Sequence, residues 1–200
     1  MCSEKRQTQE QRRLRTQEKV AEAAFALIQQ HGFANLRTAS VAERAGISEG
    51  GLMHHFPNKD ALTIAAIEYG LTRAKAQTVE RLAQYSEDDD PVLVVAEDSK
   101  GFYFTGSFEV ALDVLKSTRS NTALQNVITQ YSREFRGFVE QSWVDKLVEK
   151  GMTRSSATDL VEITTSLVRG IAIRGLIQNV DEVYDRLIQR WSALWKDEKE

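Results

Sequence analysis

Cysteine occurs once in the 200 residues, at Cys2, proline twice and histidine three times. A lone cysteine excludes an intrachain disulfide and makes a reducing, cytoplasmic setting the expectation. The histidines are His31, His54 and His55. None has a partner four residues away, the spacing with which one helix face grips a metal, so no metal site is expected. No apolar run approaches the ~20 residues of a bilayer-spanning helix, so no membrane partner is expected. The opening stretch MCSEKRQTQEQRRLR has charge but no apolar core, and no secretory signal is read there. Also missing are a GxSxG elbow, a phosphate-cradling glycine loop and a cysteine placed as a nucleophile. These absences argue against a helical enzyme, and no catalytic residue or cofactor is expected.

What the chain does have is helical patterning and a modest charge asymmetry. Hydrophobic residues make up 42% and charged residues 28%, an ordinary balance for a soluble globular protein. The net charge is −3, yet residues 1–60 carry nine Lys and Arg against seven Asp and Glu. A mildly basic head on an acidic body suits a protein that meets DNA at one end. The same bias argues against a helical interaction module that never touches nucleic acid.

Residues 1–15 read as a flexible basic arm, with Arg12, Arg13 and Arg15 either reaching DNA or simply solvated. Val20, Ala23, Ala24, Leu27 and Ile28 recur at i, i+3, i+4, i+7 and i+8. This predicts a helix over 16–31, capped by Thr16 and ended by Gly32. Further helices are predicted over 38–45, 48–56, 58–85, 107–118 and 121–150. Ser155 or Ser156 is expected to cap another, running to about residue 177. Asn179 with Glu182 resembles a capping box for the last one. Residues 91–99 read as a short helix or turn, and Phe102-Tyr103-Phe104, between two glycines, as an aromatic loop or helical turn. The total is about nine helices and no sheet, an all-α chain.

Residues 42–62, AERAGISEGGLMHHFPNKDAL, organise the rest. Gly46 closes one short periodic piece and Ser48 can cap the next, which makes a tight helix-turn-helix corner. The piece over 48–56 is two turns long and carries two glycines, each costing ~1 kcal/mol relative to alanine. A short helix held between a tight turn and a long amphipathic helix is how a recognition helix is offered to the major groove. Its glycines predict a helix that is loose alone and orders on DNA.

Over residues 20–62 the chain resembles the DNA-binding domain of the TetR/AcrR family of repressors. The resemblance is carried by Gly32-Phe33, by Val41-Ala42 and Ala45-Gly46-Ile47-Ser48, and by Leu52-Met53-His54-His55-Phe56-Pro57-Asn58-Lys59-Asp60-Ala61-Leu62. It implies a DNA-binding domain over 16–60 and a helical effector-binding and dimerisation domain over 61–200. It implies a homodimeric repressor of double-stranded operator DNA, released by a small effector. Glu49, Gly50 and Met53 then face bases, while Thr38, Gly51, His54, His55 and Lys59 face phosphates. Ser48 opens the recognition helix and belongs to the same interface. Arg37 stands where the family has Ser or Thr. Thr38 is therefore expected to cap the second helix, leaving Arg37 to meet phosphate by charge. Met53 replaces a common Tyr. Gly51 replaces Thr or Ser and offers only its backbone N–H. Glu49 either accepts from a cytosine amino group or stabilises the helix N-terminus.

In the body, Phe102, Tyr103, Phe104, Phe108, Tyr131, Phe135, Phe138 and Trp143 either line a pocket for a small apolar or aromatic effector or are plain core. Arg169 and Arg174, on a largely apolar helix, pair with an anionic ligand or with a carboxylate across a dimer. Ser166, Gly170, Ala172 and Gly175 let another helix approach closely. Val183, Leu187, Trp191 and Leu194 form a stripe at helical spacing, widened by Tyr184, Ile188 and Trp195. In the family the corresponding helices form a four-helix bundle with a second copy. The alternative is an ordinary monomer core.

Overall fold

Helix α1 (Gln9–His31) begins earlier than its apolar stripe requires. Thr8 Oγ1 accepts from Gln11 N at 3.2 Å, and Gln11 Oε1 accepts from Thr8 N at 3.0 Å. This capping box satisfies two otherwise orphaned donors and carries the helix through the expected arm. The computed structural model describes residues 8–197, in nine α-helices with no strand among them. Of the arm, residues 9–15 are thus helical, while Cys2 and the rest of 1–7 lie outside the described residues. Thr16 does not cap: it sits inside α1 and its hydroxyl donates to Arg12 O at 2.9 Å.

Gly32 ends α1 at φ 79°, and a 3-10 turn over Phe33–Asn35 follows. After α2 (Thr38–Ala45), Gly46 takes φ 69° and ψ 34°, the left-handed region that glycine enters without a Cβ penalty. The chain turns there into α3 (Glu49–His55), capped by Ser48. Asn58 Oδ1 accepts from Ala61 N at 2.8 Å and starts α4 (Lys59–Gln84), as expected.

Of the two readings left open for the aromatic triplet, the helical turn holds for Phe102 and Tyr103, and Phe104 lies just past the helix. Asp90 caps and Pro91 opens α5 (Pro91–Tyr103), which runs through Gly101 and takes Phe102 and Tyr103 into its last turn. Then come α6 (Gly106–Ser117), α7 (Thr122–Glu149), α8 (Arg154–Gly175) and α9 (Asp181–Asp197). Thr153, not Ser155 or Ser156, caps α8 by accepting from Ser156 N at 3.2 Å. Asn179 Oδ1 accepts from Asp181 N at 2.9 Å, so α9 starts slightly later than predicted.

The chain divides into two compact units, and the division falls inside α4, α6 and α7. The first unit is Met1–Gly70 with Val110–Thr129. In it α1 packs on α2 and α2 on α3 around Val20, Ala24, Ile28, Val41, Leu52 and Leu62, all fully buried. Burying each large aliphatic side chain contributes about 1.5–3 kcal/mol, so this small core holds the corner. The second unit is Leu71–Glu109 with Gln130–Glu200. There α5 packs on α8 and α9, and Val92, Val95, Trp143, Leu147 and Leu160 form its interior.

Candidate functional site

One buried side chain anchors the recognition helix. Leu52 is 0% exposed, whereas Glu49, Gly50, Met53 and His54 are exposed and Gly51 and His55 half-buried. Met53, 45% exposed, is a large apolar side chain in water without a structural reason. Ser48 Oγ accepts from Gly51 N at 3.1 Å, which commits both groups to the helix start. Gly51 therefore does not have its N–H free for a phosphate, as the sequence suggested. A Cβ at Gly51 would lie 3.2 Å from Ser48 Oγ, while one at Gly50 would meet nothing within 4 Å. Glycine at 51 protects the cap, and glycine at 50 leaves an open surface.

At the start of α2 the expectation fails. Arg37 is the residue before the helix, its side chain makes no capping bond, and Thr38 is the first helical residue rather than a cap. Arg37 is exposed and Thr38 half-buried. Lys59 is half-buried: its Nζ donates to Phe33 O at 3.3 Å and lies 4.5 Å from the centre of the Phe33 ring. The imidazoles of His54 and His55 meet edge-on at 5.5 Å, and no metal-binding cluster occurs among the described residues.

In the second unit the structure gathers part of the expected effector set. Phe102 lies 4.7 Å from Phe135, 5.1 Å from Tyr103 and 6.1 Å from Phe108 by ring centres, and Tyr103 lies 5.1 Å from Phe108. Charged groups border this cluster. Burial pushes the Tyr103 phenol up while Arg169 and Arg136 oppose it, and burial likewise pushes the Glu140 carboxyl up against Arg136. The other candidates lie elsewhere. Phe104 packs on Tyr184 at 5.5 Å, and Tyr131 is half-buried. Trp143 is 1% exposed and donates its indole N–H to Asp98, which makes it core rather than lining.

The α8–α9 residues separate in the same way. Ala172, Tyr184, Ile188 and Trp195 are buried in the chain's own interior, and Trp191 Nε1 donates to Thr164 Oγ1 at 2.8 Å. Ser166, Gly170, Arg174 and Leu194 are exposed, with Val183 and Leu187 half-buried. Sequence reasoning missed Ile163 and Ile173 on α8 and Ile177 just past its end, which are 46%, 51% and 85% exposed. Their spacing of about three turns around Ser166 and Gly170 was the available signal.

A two-turn helix fixed by one leucine at a left-handed glycine corner, with Glu49, Gly50, Met53 and His54 exposed, defines a helix-turn-helix DNA-binding protein. The family profile described as "Bacterial regulatory proteins, tetR family" matches residues 20–66. The chain is 32% identical over 185 residues to the HTH-type transcriptional regulator CymR of Pseudomonas putida, covering 92% of this chain and 91% of that protein. A solved transcriptional regulator from Saccharomonospora viridis in complex with choline has a TM-score of 0.65 at 18% identity, over 88% of this chain and 93% of that one. FadR from Bacillus subtilis in complex with stearoyl-CoA has a TM-score of 0.56 at 13% identity, over 86% and 95%. The chain belongs to the TetR family of bacterial transcriptional regulators, which bind DNA through a helix-turn-helix and are not enzymes. No helix among the described residues is long and apolar enough to cross a membrane.

Proposed function

We propose that the protein is a homodimeric repressor that leaves its operator when a small effector binds. The observation that carries the DNA half is the exposed row Glu49, Gly50, Met53 and His54 on a helix capped by Ser48 and anchored in the core by Leu52. Glu49, Gly50 and Met53 face base edges. Arg37, Thr38, His54, His55 and Lys59 serve the phosphates, and Ser48 and Gly51 build the helix start between them. Two short helices reading adjacent half-sites hold an operator that one cannot. The exposed apolar and small residues of α8 and α9, with Ile163, Gly170, Ile173 and Leu194 foremost, form the face for the second copy.

The effector site is the ring cluster of Phe102, Tyr103, Phe108 and Phe135 with Arg169 at its border. Choline and stearoyl-CoA in the solved relatives are chemically unlike, so the fold does not select the ligand. The rings favour an apolar or aromatic molecule. Coupling runs along α4, α6 and α7, the helices both units share.

Selection of bound duplexes from a random DNA pool tests the reading. A palindromic consensus with half-sites about one helical turn apart is expected. In a salt series log K should fall by about 0.9 per phosphate neutralised. Failure to enrich any sequence, with a flat salt response, would overturn the proposal. Ile173→Arg should give a monomer in sedimentation that no longer binds the selected duplex.

A further inference from the structure

Two side chains from the corner between α6 and α7 reach the helix-turn-helix where no motif requires them. Asp113 Oδ2 accepts from Phe33 N at 2.6 Å, and Asn121 Nδ2 donates to Asp60 Oδ2 at 2.8 Å. Both targets bracket Lys59. Phe33 holds that side chain twice, through its carbonyl and its ring. Asp60 is its neighbour in the first turn of α4.

The corner is itself braced. Gln125 Nε2 donates to Leu115 O at 2.9 Å, and Asn121 Oδ1 caps α7 by accepting from Leu124 N at 3.1 Å. Ser117 Oγ donates to the other oxygen of Asp113 at 3.3 Å. A carboxylate on a backbone N–H is a charge-assisted bond, stronger than a neutral one. It fixes the peptide between Gly32 and Phe33, just past α1, and with it the direction of the Phe33 ring and carbonyl. Lysine is otherwise a flexible stem bearing three rotatable donors. With one N–H on Phe33 O, two remain for an outside acceptor.

We infer that Asp113 and Asn121 are positioning residues for DNA binding: the α6–α7 corner fixes Phe33 and Asp60 so that Lys59 presents its ammonium to a DNA phosphate. The inference rests on the phosphate contact proposed above for Lys59.

The test measures affinity and salt dependence on the selected duplex for the full chain. It compares wild type with Lys59→Ala, Asp113→Ala, Asp113→Asn, Asn121→Ala and the double Asp113→Ala/Lys59→Ala variant. Asp113→Ala should weaken binding roughly tenfold, the scale of one charged hydrogen bond. It should also flatten the salt slope by about 0.9 for each phosphate that is no longer neutralised. Asp113→Asn keeps an acceptor oxygen and should retain most of the affinity. In the Lys59→Ala background, Asp113→Ala should cost nothing further, which a merely structural role would not produce. Wild-type affinity and slope for Asp113→Ala, or an additive loss in the double variant, overturns the inference. An unaffected Lys59→Ala instead removes the phosphate contact itself. If Asp113→Ala does not fold, Asn121→Ala, whose bond lies at the exposed surface, decides by the same outcomes.

Discussion

Trp143 donates its indole N–H to Asp98 Oδ2 at 2.8 Å inside the second unit. Thr78 Oγ1 donates to the same oxygen at 2.9 Å, and Arg81 Nε lies 3.6 Å from the other. Burial pushes the Asp98 carboxyl up, while Trp143, Thr78 and Arg81 oppose that shift without cancelling it. The folded state therefore holds this proton more tightly than the unfolded chain does. Stability from the group is full below the ordinary Asp pKa of about 3.9 and is lost as pH rises through the raised value. Asp98→Asn should remove that dependence. In urea unfolding, wild type should weaken relative to the Asn variant as pH rises from about 4, then level off. A constant difference from about pH 4 to 8 would contradict the raised pKa. Asp98→Ala leaves the buried Trp143 indole and Thr78 hydroxyl without their acceptor and should cost about 3 kcal/mol.

Asp90 carries the opposite sign. Burial alone would raise its carboxyl, but Lys196, Ser192 and the Leu93 N–H outweigh burial and hold it below the usual range. Its contribution is present above the unfolded pKa and lost as pH falls through the lower folded value. Asp90→Ala removes the α5 cap and the tie to α9. It should cost about 1–2 kcal/mol near neutral pH, by thermal melting. The gap to wild type should narrow as pH falls below the ordinary Asp value of about 3.9.

Gly50→Ala should stabilise α3 by about 1 kcal/mol, since its Cβ enters open space. Gly51→Ala gains less, because its Cβ crowds the Ser48 oxygen that caps the helix. Amide hydrogen exchange at Leu52 distinguishes the two: protection should rise clearly only in the first. Slow exchange there in the free wild-type protein would show that the helix does not wait for DNA to order.

Gly70→Ala should destabilise the first unit. The added Cβ would sit 2.7 Å from the buried Phe25 ring. Overpacking of about 1–3 kcal/mol outweighs the ~1 kcal/mol gain in helix propensity. Phe25→Leu added to Gly70→Ala should recover part of the loss in denaturant unfolding.

The corner was legible in the sequence because its demands are local. Gly46 must turn left-handed, Ser48 must cap, and Leu52 and Phe56 must be buried, all within eleven residues. The start of α1 was equally local, since Thr8 and Gln11 hold capping-box spacing, yet the polar composition around them concealed it. For Phe102 and Tyr103 the sequence left a loop and a helical turn open because flanking glycines suggest a break, whereas the Asp90-Pro91 start carries α5 through Gly101. The Thr38 cap failed because Arg37 already occupies the position before α2. Asp113 with Phe33 and Asp98 with Trp143 are joined across 80 and 45 positions, and no periodicity reports such pairs. The buried half of the α9 stripe could not be told from its exposed half by spacing alone.

The empty space around Gly50 has an evolutionary consequence. The position assigned to base contact carries no structural duty, because a side chain there would touch nothing of the protein. Cap, corner and core can stay constant while single substitutions at Gly50 try new preferences. A duplicated copy of such a regulator could change allegiance to another promoter without first becoming a worse protein.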